Sequence, residues 1–138
     1  MDKDVIKSKI ESLIRCINRI QEKTPKNLEI LEQDIDVQDI IAVNIERAVQ
    51  ISVDIASHIL ADYPVSTPKT MSSTFVALSE QKIIDKTLAD NLAKSVGFRN
   101  IAVHSYQTIN WDVVYQIITT DLEDFKQFIK AVMTLIEK

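Results

Sequence analysis

One glycine, Gly97, one cysteine, Cys16, three prolines and two histidines stand among the 138 residues. Each scarcity removes a class of protein. A single glycine cannot build the glycine-rich turn that cradles nucleotide phosphates, so P-loop and dinucleotide-binding readings fail. A lone cysteine forms no intramolecular bridge. With His58 and His104 far from it in sequence, the chain offers no zinc-ligand spacing, and no metal or other cofactor is expected. Cys16 reads as a small core residue, and its type of usage suits a reducing, cytoplasmic compartment. A basic start followed by a long apolar run is missing, as is any stretch of roughly 18 uninterrupted apolar residues, so neither export by a signal peptide nor a membrane span is expected. A Ser-His-Asp arrangement stays open in three dimensions, but no nucleophile elbow supports it. Nor is there an excess of positive charge. The formal net charge is -4, which excludes a protein that coats nucleic acid indiscriminately.

What is present is an ordinary globular composition, 46% hydrophobic and 26% charged, at the length of one domain spanning residues 1–138. The charge is unevenly spread: residues 1–26 carry +3 and residues 27–62 carry -7, while residues 80–106 carry +1. Ile, Leu and Val recur at three- and four-residue spacing, which predicts an all-α protein. A first helix is expected over residues 4–23, its apolar side formed by Val5, Ile6, Ile10, Leu13, Ile14, Ile17 and Ile20. A short helix over 28–33 and a long one over 37–61 follow; Ile41, Ile45, Ala48, Ser52, Ile55 and Ile59 fall in one arc of the latter, widened by Val49, Val53, Ala56 and Leu60. So broad a stripe needs two neighbours. Helices over 72–79, 85–103 and 111–137 complete an antiparallel bundle of four to five main helices, the last with a seam of Val114, Ile118, Leu122, Phe125, Ile129, Val132 and Ile136. The breadth of the apolar faces also predicts a homodimer.

The stretch FRNIAVHSY, residues 98–106, concentrates an arginine, a histidine and a tyrosine just after Gly97. Arg99 and His104 suit cleavage of a phosphodiester without metal: imidazole moves protons near neutral pH, and the guanidinium stabilises the extra charge of a pentacoordinate phosphate. RNA supplies its own nucleophile, the 2′-OH. In a continuous helix the two side chains lie about 140° apart, whereas Arg99 and Tyr106 nearly eclipse. Arg99 and His104 therefore converge only if the helix ends or distorts between them, or if two copies face each other. The structural alternative makes Arg99 a surface ion-pair partner, His104 a helix-end group and Tyr106 a packing residue. On the long helix Arg47, Asp54 and His58 share one stripe with Glu46, Gln50 and Ser57 at its edge, a pattern that by itself reads as a solvated face. Trp111 reads as an anchor for the last helix.

RNIAVHSY resembles the Arg-x4-His-x-Tyr signature of the HEPN superfamily, in particular the HepT-like toxins paired with MNT-type minimal nucleotidyltransferase antitoxins. The flanking TFVALSEQKIIDKTLADNLAKSVGFRN and the earlier ERAVQISVDIASHILADY are similar to that family's approach to its motif and to its long second helix, so the resemblance covers nearly the whole chain. It implies a HEPN-type homodimer acting as a metal-independent endoribonuclease on RNA, with Arg99 and His104 of both subunits in a shared cleft. It further implies a backbone-binding role for Asn100, an orienting role for Asp54, and AMP transfer from ATP onto Tyr106 by the cognate antitoxin. The added bulk and negative charge would block RNA entry. A competing expectation from the same residues is a catalytically silent helical adaptor that binds a nucleotidyltransferase or nucleotide.

Overall fold

The computed structural model describes all 138 residues and contains helices and no strands. Helix α1 (Lys3–Lys23) starts where the Asp2 carboxylate accepts hydrogen bonds from the Asp4 and Val5 amides. It stops at Thr24, before Pro25. Helix α2 (Leu28–Gln33) is capped by Asn27, and α3 (Ile35–Leu60) by Asp34, whose carboxylate accepts from the Val37 amide. After the proline-bearing loop, Thr70 and Ser73 form a reciprocal capping box at the head of α4 (Met71–Glu80). Lys82, at φ 62, turns the chain towards α5 (Lys86–His104), capped by Asp85. A single 3₁₀ turn, Tyr106–Thr108, leads to α6 (Trp111–Gln116), a π-helical segment (Ile117–Asp121) and α7 (Leu122–Ile136).

The expected apolar arc of α3 is buried in full, from Ile41 to Leu60, because α1 covers one side and α4 and α5 the other. Thirty-four buried apolar residues drawn from every α-helix form one cluster, Cys16 among them. Burial pushes the Cys16 thiol above its usual range, as befits a packing residue. In α1, Ile14 departs from expectation and lies 40% exposed, since Cys16 takes a place on the buried face instead.

The last helix differs from its sequence reading. A regular helix over residues 111–137 is interrupted by the π segment, where the Thr119 hydroxyl donates to the Tyr115 carbonyl at 2.6 Å and competes with the backbone ladder. The expected seam nevertheless holds at Val114, Ile118, Leu122, Phe125, Val132 and Ile136, all buried. Ile117 and Phe128 are buried and Ile129 moves to the margin; Phe128 meets Phe75 edge to face, ring centroids 6.0 Å apart.

Candidate active site on helices α3 and α5

Helix α5 is regular from Arg99 through His104 and ends at Ser105 (φ -147, ψ 49), whose amide donates to the Ile101 carbonyl. No distortion separates the two residues, so within one chain they project about 140° apart. The route to convergence through a helix end or distortion between them is closed. Tyr106 lies beyond the helix end, close to where the sequence placed it, so its ring does not lie over Arg99 as it would in a continuous helix. The 3₁₀ turn directs it to α3, where its hydroxyl donates to Asp39 Oδ1 at 2.7 Å. Trp111 packs edge-on against it at 6.2 Å, consistent with an anchoring role.

Arg99 is half-buried against α3. Its Nη2 donates to Gln50 Oε1 at 3.3 Å and its Nη1 to Asn100 Oδ1 at 3.5 Å. Its Nε is buried with no hydrogen-bond partner, and no carboxylate lies within ion-pairing distance of the guanidinium. Arg99 is not the surface ion-pair partner of the structural alternative. Neutral amides hold a permanent cation and leave its charge uncompensated, with one donor unmet; such a group favours an anionic acceptor.

Gln50 is a site residue the sequence placed only at the edge of a stripe. Its Nε2 donates to Asp54 Oδ1 at 3.0 Å, which fixes the amide so that its oxygen faces Arg99. Asp54 thus reaches the arginine through Gln50, and its other oxygen lies 4.0 Å from Lys9 Nζ on α1. Arg47 and His58, from the same stripe, stay exposed as a solvated face does. Asp39 carries no signal in the sequence that sets it apart from the other acids of residues 27–62. Eleven residues separate it from Gln50, an offset that returns within about 20° to the same face of α3, so the stripe extends about two turns, about 11 Å, beyond Glu46, where its sequence reading began. The two α3 carboxylates have different work: one steadies an amide, the other accepts the hydrogen bond of the Tyr106 hydroxyl. Partial burial and the Asp39 hydrogen bond and charge push the Tyr106 phenol up to about 12.

His104 is exposed in the last turn of α5 and makes no side-chain hydrogen bond within the chain. Seven residues from Gly97, it shares that residue's face. There a groove of about 470 Å³ runs between α5 and the α6–α7 segment, lined by Gly97, Ile101 and Val113 among others. Ile101 and Val113 are 45% and 49% exposed, and nothing lies within 4 Å of a Cβ built on Gly97. No helix is long and apolar enough to cross a membrane, and no cluster of metal-ligating side chains is present.

The antiparallel helical bundle is the fold of a solved HEPN toxin. A family profile described as ribonuclease HepT-like matches residues 13–132, and the chain belongs to that family. It is 39% identical over 129 residues to the mRNA nuclease HepT of Shewanella oneidensis, covering 94% of this chain and 96% of the relative. A toxin–antitoxin complex solved with AMP-PNP contains a chain of TM-score 0.90 and 37% identity, covering 96% of this chain and 99% of that one. A tri-AMPylated Shewanella oneidensis HEPN toxin in complex with MNT antitoxin superposes at TM-score 0.89 and 37% identity, over 97% and 99% of the two chains.

Proposed function

We propose that this chain is the toxin of a toxin–antitoxin pair, a metal-independent cytoplasmic endoribonuclease active as a homodimer and silenced when an MNT-type nucleotidyltransferase places AMP on Tyr106. The observation that carries the reading is the state of Arg99: charged, held by neutral amides, with a buried Nε that lacks an acceptor. A scissile phosphate beside the half-buried side chain supplies the missing counter-charge. In the reaction His104 takes the proton of the ribose 2′-OH as that oxygen bonds to phosphorus. The bond to the 5′-oxygen breaks, that oxygen is protonated by His104 of the partner subunit, and a 2′,3′-cyclic phosphate and a 5′-hydroxyl remain. Arg99 holds the equatorial oxygens, with Asn100 beside it on the backbone and Asp54 steadying it through Gln50.

Support for the second copy comes from Gly97. A mid-helix glycine costs about 1 kcal/mol relative to alanine. Packing within the chain gives it no reason, and it sits on the His104 face beside exposed Ile101 and Val113. Close approach of another bundle there would bring together groups that one helix holds apart. AMP on Tyr106 would add negative charge to the same helix end, in keeping with the tri-AMPylated neighbour.

Purified protein assayed on RNA in the presence of EDTA tests the reading. Arg99→Ala and His104→Ala should each lower the cleavage rate by about 100-fold or more with helicity unchanged. Undiminished cutting by both would remove the site, and a wild-type chain that cuts no RNA while binding the nucleotidyltransferase would make it an adaptor.

A further inference from the structure

The hydrogen bond from Tyr106 Oη to Asp39 Oδ1 joins residues 67 positions apart, and nothing in the cleavage chemistry requires it. We infer that Asp39 is the proton acceptor for nucleotidyl transfer onto Tyr106, so that the modified protein, rather than the transferase, supplies the base. The inference rests on the reading of Tyr106 as the AMP acceptor. Its geometry is already that of a base and its nucleophile: the phenol is the donor in a 2.7 Å bond, so the lone pairs of Oη stay free to attack. Asp39 is exposed, has no cation within ion-pairing distance, and receives no other side-chain hydrogen bond, so its carboxylate is free to take a proton. The ring is held ready by the 3₁₀ turn and by the edge of Trp111, and at 41% exposure an incoming nucleotide can reach it. With the phenol pushed up to about 12, almost no phenolate exists at neutral pH, and proton loss has to accompany attack.

The step balances. Oη bonds to the α-phosphorus of ATP, the bond from that phosphorus to the bridging oxygen breaks, pyrophosphate leaves, and the phenol proton passes to Asp39 Oδ1. Asp39 is then neutral at the moment an anionic phosphodiester forms beside it, which avoids the repulsion of two adjacent negative charges.

The experiment incubates the full chain with its MNT-type nucleotidyltransferase and ATP and follows intact mass at saturating transferase. Wild type should gain AMP and Tyr106→Phe should not; a gain that persists in Tyr106→Phe overturns the acceptor assignment on which this rests. Given that result, Asp39→Asn, which preserves the shape and an oxygen acceptor, should slow the first AMP addition by about 100-fold or more, with partial recovery in Asp39→Glu. Incorporation at position 106 of a fluorinated tyrosine that ionises more readily should restore much of the rate lost in Asp39→Asn, because the proton then needs no acceptor. Modification of Asp39→Asn at the wild-type rate overturns the inference. So does a slow Asp39→Asn that the fluorinated residue fails to rescue, since that pattern marks a merely structural tether.

Discussion

At the scale of single residues, the arrangement turns on how a cation is held without being neutralised. Gln50 orients Arg99 through a carbonyl oxygen, and Asp54 orients Gln50 by accepting its Nε2 proton, so the carboxylate stays one group away from the guanidinium. A direct Asp–Arg pair would grip harder but would cancel the charge that a phosphate needs. Two substitutions separate grip from charge. Gln50→Ala should release the arginine and lower kcat by about tenfold, the scale of losing one positioning hydrogen bond. Gln50→Glu keeps the acceptor but adds a counter-charge, so its main effect should be a raised KM for RNA. Steady-state cleavage kinetics on a short RNA check both, and wild-type constants in the two variants would show that Gln50 does not position the arginine. Arg99, His104 and Tyr106 stand out in the sequence as candidates because they fall within one short motif. Gln50 and Asp39 do not, because their partners lie 49 and 67 residues away and only helix packing brings them together.

At the scale of elements, helix positions followed from local chemistry: caps at Asp2, Asn27, Asp34, Thr70, Asp85 and Asn110 mark helix starts, and apolar periodicity gives each buried face. The π segment broke the pattern. Thr119 and Thr120 carry no signal distinct from that of other helical threonines, so a regular helix was the natural reading of residues 111–137. A π turn amounts to one inserted residue in an α-helix. Deleting Thr120 should therefore return the segment to α-helical geometry with α6 and α7 still in phase, at a small cost in thermal stability. Deleting Lys126, within regular α7, rotates everything beyond it by about 100° and should lower Tm far more or prevent folding. Thermal melts followed by circular dichroism make the comparison, and equal losses would contradict this account of the segment. The end of α5 matters in the same way. Because regular helix stops at His104, Tyr106 reaches α3 instead of lying over Arg99.

At the scale of the whole molecule, the chain buries a core of 34 apolar residues yet leaves Ile101 and Val113 exposed around the groove that shares a face with His104. Gly97, in the middle of that face, is where the proposed dimer can be tested without touching the site residues. Gly97→Gln should keep the chain helical, since glutamine is the better helix former and open space surrounds the position. Its side chain should nevertheless hold a second bundle away. Sedimentation equilibrium should then show monomer at concentrations where wild type is dimeric, and RNA cleavage should fall in parallel. Unchanged assembly in this variant would place the contact elsewhere.

The sequence by itself determined the motif and, the π segment and a few face positions apart, the helices and their buried faces, because each depends on residues within a few positions of one another and on the 100° turn of an α-helix. Tertiary structure alone decided what the motif's side chains meet. Arg99 finds an amide instead of an acid, and Tyr106 finds a carboxylate, because α3 and α5 cross at one particular angle and register set by the whole core.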